Sequence, residues 1–262
     1  MDILLLLKAL ILGLVEGATE FLPVSSTGHL IIVGDLLNFN DAKGKVFEIV
    51  IQLGAILAVC WEYRIRIMTT FTGIRHDSIS QKLTLNLIIA FMPAAILGLA
   101  FHHQIKQYLF SPITVAWALI LGGVAILVVE RIAPKPHTMS IEELSWKVGL
   151  AKTLALFPGV FRAGATILGG VMFGLSRKTA TEFSFFLAIP IMFAATGLDV
   201  VSNYKLLNAS DIELFAVGFI TAFFSALVVV RGLLRYVAQH DFKIFAWYRI
   251  VFGALVLWYF WK

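Results

Sequence analysis

Glu16-Gly17-Ala18-Thr19-Glu20-Phe21-Leu22-Pro23-Val24-Ser25-Ser26-Thr27-Gly28-His29 decides how this chain is read, because the residues on either side of it are apolar enough for a bilayer. Two carboxylates, three consecutive hydroxyls and an imidazole are costly at membrane depth. Each ionised group near the centre of a spanning helix costs about 2.5–3.5 kcal/mol on insertion scales, so a cluster of them marks a site. Working outward, the 262-residue chain is 60% hydrophobic and 14% charged, with a mean hydropathy of +0.90. Those values exclude an ordinary soluble domain. The apolar runs are continuous, which predicts helices rather than the alternating strands of a barrel. They cover 3 to 15, 46 to 61, 84 to 101, 112 to 130, 183 to 201, 212 to 230 and 246 to 261. The fold class is therefore an all-α integral membrane protein, a single membrane domain over 1–262. The single cysteine, Cys60, lies in an apolar run and reads as packing. The opening lacks the basic start and small-residue cleavage site of a secretory signal, so it reads as mature sequence.

Two further stretches, 16 to 38 and 148 to 175, are apolar but broken by proline, glycine and polar residues. Phe21-Leu22-Pro23-Val24 and Leu156-Phe157-Pro158-Gly159 each put a proline after large apolar residues, and position 158 lies 135 residues after position 23, about half the chain. Each then passes through a polar or basic turn into a glycine-containing apolar run. This is the signature of an internal repeat, with a first copy over 1–130 and a second over 148–262.

Basic residues orient the repeats. If 3 to 38 and 148 to 175 are re-entrant helix-loop-helix hairpins and the other six runs span, four connections fall on one side. They hold Arg64, Arg66, Arg75, Lys82, Arg131, Lys135, Lys147, Arg177, Lys178, Arg231, Arg235 and Lys243, against Lys43, Lys45, Lys106 and Lys205 on the other side. The first group belongs in the cytoplasm, with both termini outside. One hairpin plus three spans, inserted twice in opposite directions, makes an inverted-topology repeat with about six transmembrane helices. Such a fold places its site at the hairpin tips. The net charge of +5 is met by anionic lipid at the cytoplasmic loops and calls for no nucleic-acid partner.

Glu16 and Glu20, four apart, share one helical face, where like charges repel unless they share a cation or a proton or pair with a distant arginine. Ser25, Ser26 and Thr27, with the N–H groups beside Gly28, would open a helix running through His29 to Leu37. That is a phosphate cradle, or simply an N-cap. His29 follows Ser26 by three residues, within reach to act as its base or to protonate a leaving oxygen. In the second hairpin Arg162 lies deep in an apolar stretch and needs an anion, either phosphate or a glutamate. A divalent metal fits this set: Mg²⁺ or Ca²⁺ on Glu16 and Glu20, while clustered Cys and His for zinc are lacking.

The first motif closely resembles the signature of the bacterial undecaprenyl-diphosphatase family, the bacitracin-resistance proteins. The resemblance continues through Phe47-Glu48-Ile49-Val50-Ile51-Gln52-Leu53-Gly54-Ala55-Ile56-Leu57-Ala58-Val59, Glu182-Phe183-Ser184-Phe185-Phe186-Leu187-Ala188-Ile189-Pro190 and Tyr248-Arg249-Ile250-Val251-Phe252-Gly253. It covers essentially the whole chain. It implies hydrolysis of undecaprenyl diphosphate to undecaprenyl phosphate and phosphate, which recycles the lipid carrier for peptidoglycan. It also implies a metal-dependent site open to the periplasm of the bacterial inner membrane, a polyprenyl diphosphate lipid as substrate and membrane lipids as surroundings. By position it points to Glu16, Glu20, Ser26 and His29 as catalytic and Arg162 as substrate-binding, beside the hydroxyls of Ser25, Thr27 and Thr166. The family's second motif usually reads Pro-Gly-x-Ser-Arg-Ser-Gly, whereas this chain has Pro158-Gly159-Val160-Phe161-Arg162-Ala163-Gly164. Both serines are gone, and with them two hydrogen bonds to a charged phosphate, each worth about 1.5–3 kcal/mol. A lipid-phosphate or ion transporter on the same inverted-repeat fold is the competing reading, and a weakly active lipid-binding relative is another.

Overall fold

The computed structural model describes residues 3–39, 42–109, 111–135, 162–203 and 211–261. Within them regular structure is helical throughout, in ten helices: α1 Ile3–Thr19, α2 Ser26–Leu36, α3 Ala42–Glu62, α4 Arg64–Gly73, α5 Ser78–Leu109, α6 Pro112–Ile132, α7 Arg162–Met172, α8 Arg177–Asn203, α9 Ile212–Val237 and α10 Lys243–Phe260. The all-α expectation holds. Six of the seven apolar runs lie inside helices that extend beyond them, because polar terminal turns are helical without being apolar; the last, 246 to 261, overruns its helix by one residue, Trp261. The run from 3 therefore continues to Thr19 through Glu16, and the run at 183 begins at Arg177. Helix α4 falls where a connection was expected. The first part of the second broken stretch, 148 to 161, and the connection at 204 to 210 lie outside the described residues.

Local chemistry sets the ends. Ser111 caps α6, its hydroxyl accepting from Thr114 N at 3.1 Å with Pro112 in the first turn, and Pro134 follows the helix end. After α7, Gly174 takes φ 89°, and Leu175 N returns to Gly170 O at 3.0 Å, which closes the helix. Four described helices are long and apolar enough to cross a membrane, Pro112–Ile132, Arg177–Ser202, Ile212–Val237 and Lys243–Phe260. There are five if Val46–Glu62 and Arg64–Gly73 count as one bent span. Their outward faces are apolar, as at Leu121, Val128, Ile220, Phe224, Val251 and Leu255, which suits lipid as solvent. The protein is a multi-pass membrane protein.

The chain divides into two compact units, Met1–Glu62 with Ile189–Gly232 and Tyr63–Ala188 with Leu233–Lys262, so each unit draws on both halves of the sequence. In the first, Ala9, Leu12, Leu30, Phe39, Phe47, Ile51, Leu214 and Ala222 form the core. Phe39 meets Phe47 edge to face at 5.4 Å. Helix α1 approaches α9 closely at Gly17, where a methyl group would come within 2.8 Å of both Ala226 N and Ser225 Cβ. Ser225 Oγ donates to Leu14 O at 3.0 Å across the same contact.

The second unit is organised by α6 and α10, which run antiparallel: Gly123 faces Ala246 and Ile250, and Gly253 faces Ala116 and Ile120. A methyl at Gly123 would come within 2.7 Å of Ala246 O, and one at Gly253 within 2.8 Å of Ala116 O. Arg249, wholly buried, donates from Nη2 to Ala118 O at 3.0 Å and from Nε to Leu119 O at 3.3 Å, so backbone carbonyls solvate a charge that lipid cannot. At the end of the pair the Glu130 side chain, itself 1% exposed, accepts from Arg177 Nε at 3.0 Å and from Phe242 N at 3.0 Å, tying α6, α8 and the start of α10 together.

Candidate functional site

The first unit carries a helix, a proline turn and a second helix. Glu20 N still bonds Glu16 O at 2.9 Å, so the α-helical spiral continues to the second glutamate before it breaks. Pro23 has no N–H to extend it. Val24 N turns back to Leu22 O at 2.7 Å, and Ser25 takes φ 72°, ψ 95°, a left-handed conformation rare outside glycine. Helix α2 then begins at Ser26, as the hydroxyl run predicts. Ser25 stands at the N-cap position, yet its side chain makes no capping hydrogen bond, so the simple N-cap reading does not describe it.

The turn brings functional groups together. The Ser26 hydroxyl donates to Glu20 Oε2. His29 Nδ1 lies 2.8 Å from the Ser25 carbonyl oxygen. A carbonyl only accepts, so Nδ1 carries the proton, and in the neutral ring Nε2 is the basic nitrogen. Glu16, Ser25 and His29 are buried, while Glu20, Ser26 and Thr27 are half-buried. A carboxylate facing a hydroxyl, with an imidazole held by a backbone carbonyl, can deprotonate an oxygen nucleophile and supply a proton to a leaving oxygen.

Sequence spacing placed His29 beside Ser26 but did not couple Ser26 to Glu20, because six residues is not a helical period. The available signal was Pro23 between them, which turns one helix end back on the next start. Arg162 is the first residue of α7, with Thr166 buried one turn along, and both belong to the second unit. Pro158, Gly159, Val160 and Phe161 lie outside the described residues.

Among the described residues no three His, Cys, Asp or Glu side chains gather into a cage. Glu16 and Glu20, one turn apart, with the Ser26 hydroxyl, offer hard oxygens of the kind that hold Mg²⁺ through one or two carboxylates plus substrate phosphate. The donor set fits such an ion.

The family model described as bacitracin resistance protein BacA matches residues 9–255. A protein of Methylobacillus flagellatus named undecaprenyl-diphosphatase is 64% identical over the full length of both chains. Proteins of the same name from Nitrosospira multiformis, at 62% identity over 98% of this chain and 96% of the relative, and Laribacter hongkongensis, at 56% over 100% and 97%, are similar throughout. A family match across nearly the whole sequence, with relatives more than half identical from end to end, means that the chain belongs to the bacitracin resistance protein BacA family.

Proposed function

We propose that this protein hydrolyses undecaprenyl diphosphate to undecaprenyl phosphate and phosphate at the α1–α2 turn, recycling the lipid carrier for the cell wall. The observation that carries the reading is the Ser26 hydroxyl donating to Glu20 beside a tautomer-fixed His29, in a chain whose relatives bear that activity as their name. As Ser26 Oγ attacks the terminal phosphorus, Glu20 takes its proton. The bond to the bridging oxygen breaks, and His29, entering the step as imidazolium with Nδ1–H on the Ser25 carbonyl, gives its Nε2 proton to the departing lipid phosphate; Nε2 then takes a proton from the water that attacks the phosphoserine, and Glu20 returns its proton to Ser26. Water then cleaves the phosphoserine, releasing phosphate and restoring Ser26. Glu16 and Glu20 would hold a divalent cation, Mg²⁺ or Ca²⁺, whose charge would screen the diphosphate.

Arg162, with Thr166 and the hydroxyl of Thr27, is assigned to phosphate binding. With Phe161 and Ala163 in place of the family's serines, the first hairpin carries more of the phosphate recognition than is usual in the family.

The surrounding architecture in this reading is an inverted repeat with two re-entrant hairpins, in the bacterial inner membrane with the site open to the periplasm. The α6–α10 contacts support it. Gly253, Ala246 and Ile250 lie 130 residues after Gly123, Ala116 and Ile120, and the contacts are reciprocal under that shift. Reciprocal contacts between antiparallel elements are those of a two-fold axis across the helices. The test of function is phosphate release from undecaprenyl or farnesyl diphosphate by the purified protein. Turnover that Glu20→Ala and His29→Ala both abolish is expected; no release, or release that neither variant affects, would overturn the assignment.

A further inference from the structure

Helix α4 has ten residues, none of them buried, and at 1.5 Å per residue it extends about 15 Å, half the thickness of a bilayer core. It cannot span by itself. Its rotation is nevertheless pinned. Tyr63, just before it, packs on the Phe186 ring at 4.8 Å between centroids, and the Arg66 guanidinium lies 5.9 Å over the same ring. At the other end Gly73 sits close against Ser80, where a methyl would come within 2.5 Å of Oγ and 3.0 Å of Cβ, so α4 meets the start of α5 tightly there. Held at both ends, α4 turns Ile65, Met68 and Phe71 outward on one face, at 70%, 67% and 76% exposure. From Arg64 to Lys82 the chain carries Arg64, Arg66, Arg75 and Lys82 against the single acid Asp77. Asp77 caps α5, accepting from Ser80 N at 3.0 Å.

We propose that α4 is an interfacial helix that docks on the headgroup layer of an anionic leaflet. Ile65, Met68 and Phe71 enter the acyl boundary, while Arg64 and Arg75 meet lipid phosphates. A fixed apolar ridge too short to span, flanked by cations, is the pattern of a helix lying in the interface. The proposal rests on the membrane reading above and not on the hydrolase chemistry.

The test uses the full chain with Cys60→Ser and a single spin-labelled cysteine at 65, 68, 71 or 76, in vesicles of phosphatidylcholine with or without phosphatidylglycerol. At 65, 68 and 71, oxygen access is expected to exceed access by an aqueous nickel chelate, with the reverse at 76. Replacing phosphatidylglycerol should lower the oxygen-to-nickel ratio at 68 at least about twofold, and Arg64→Gln with Arg75→Gln should remove that lipid dependence. Nickel access dominating at 65, 68 and 71 in both vesicle types would overturn the proposal in favour of a soluble partner. A ratio indifferent to lipid charge would overturn the headgroup contact. Phosphate release assayed on the same vesicles separates failure of this proposal from failure of the hydrolase reading.

Discussion

Ser25 holds φ at 72° without being glycine, and its carbonyl receives His29 Nδ1. A residue kept in that region costs about 1–3 kcal/mol, more when β-branched, and persists only where its surroundings demand it. Ser25→Val is therefore expected to be about 1–3 kcal/mol less stable than Ser25→Gly by thermal unfolding in detergent; equal stabilities would show that the turn relaxes freely. Glu20→Gln keeps the shape but removes the charge that receives the Ser26 proton. We expect kcat to fall about 10²–10⁴-fold in steady-state phosphate release. At this scale the sequence was legible in residue types but not in partners. Glu16, Glu20, Ser26 and His29 stand out as costly in lipid, while the Glu20–Ser26 bond and the twist at Ser25 depend on how the chain turns at Pro23. Arg249 shows the same limit: the sequence places an arginine in an apolar run, and only the structure supplies the Ala118 and Leu119 carbonyls that solvate it.

Between helices, close approach at small residues does the positioning. Gly17 lets α1 press on α9, which fixes the helix that carries Glu16 and Glu20. Gly17→Leu forces a side chain into the Ala226 backbone, and overpacking of that kind costs about 1–3 kcal/mol. The expected outcome is a lower melting temperature with reduced activity, and unchanged melting would contradict the packing. Glu130→Ala strips both Arg177 and Phe242 N of an acceptor, so a loss of about 1–3 kcal/mol is expected from thermal unfolding. Long apolar helices such as α6 and α9 were readable from composition, because burial in lipid needs only an apolar run. Helix α4 was not, since ten residues with arginines and threonines show neither length nor a clear period. The first half of the second broken stretch, 148 to 161, lies outside the described residues, so its hairpin rests on its sequence likeness to the first.

For the whole molecule, the account proposed above is two copies inserted in opposite directions, a reading that the distribution of basic residues and the reciprocity of α6 with α10 support. That account predicts sidedness. A cysteine at Lys205 should react with an impermeant reagent added from outside the cell, and one at Arg235 only after the membrane is opened; the opposite pattern would reverse the topology. It also asks the first hairpin to do the chemistry, since the second has lost the hydroxyls around Arg162. The claim that Glu20 activates Ser26 as nucleophile is tested most directly by rapid quench of a single turnover with undecaprenyl diphosphate labelled in the terminal phosphate. The account predicts label transiently bound to Ser26, lost in Ser26→Ala and sharply reduced in Glu20→Gln. Full-rate release of labelled phosphate with no labelled protein at any time would contradict it.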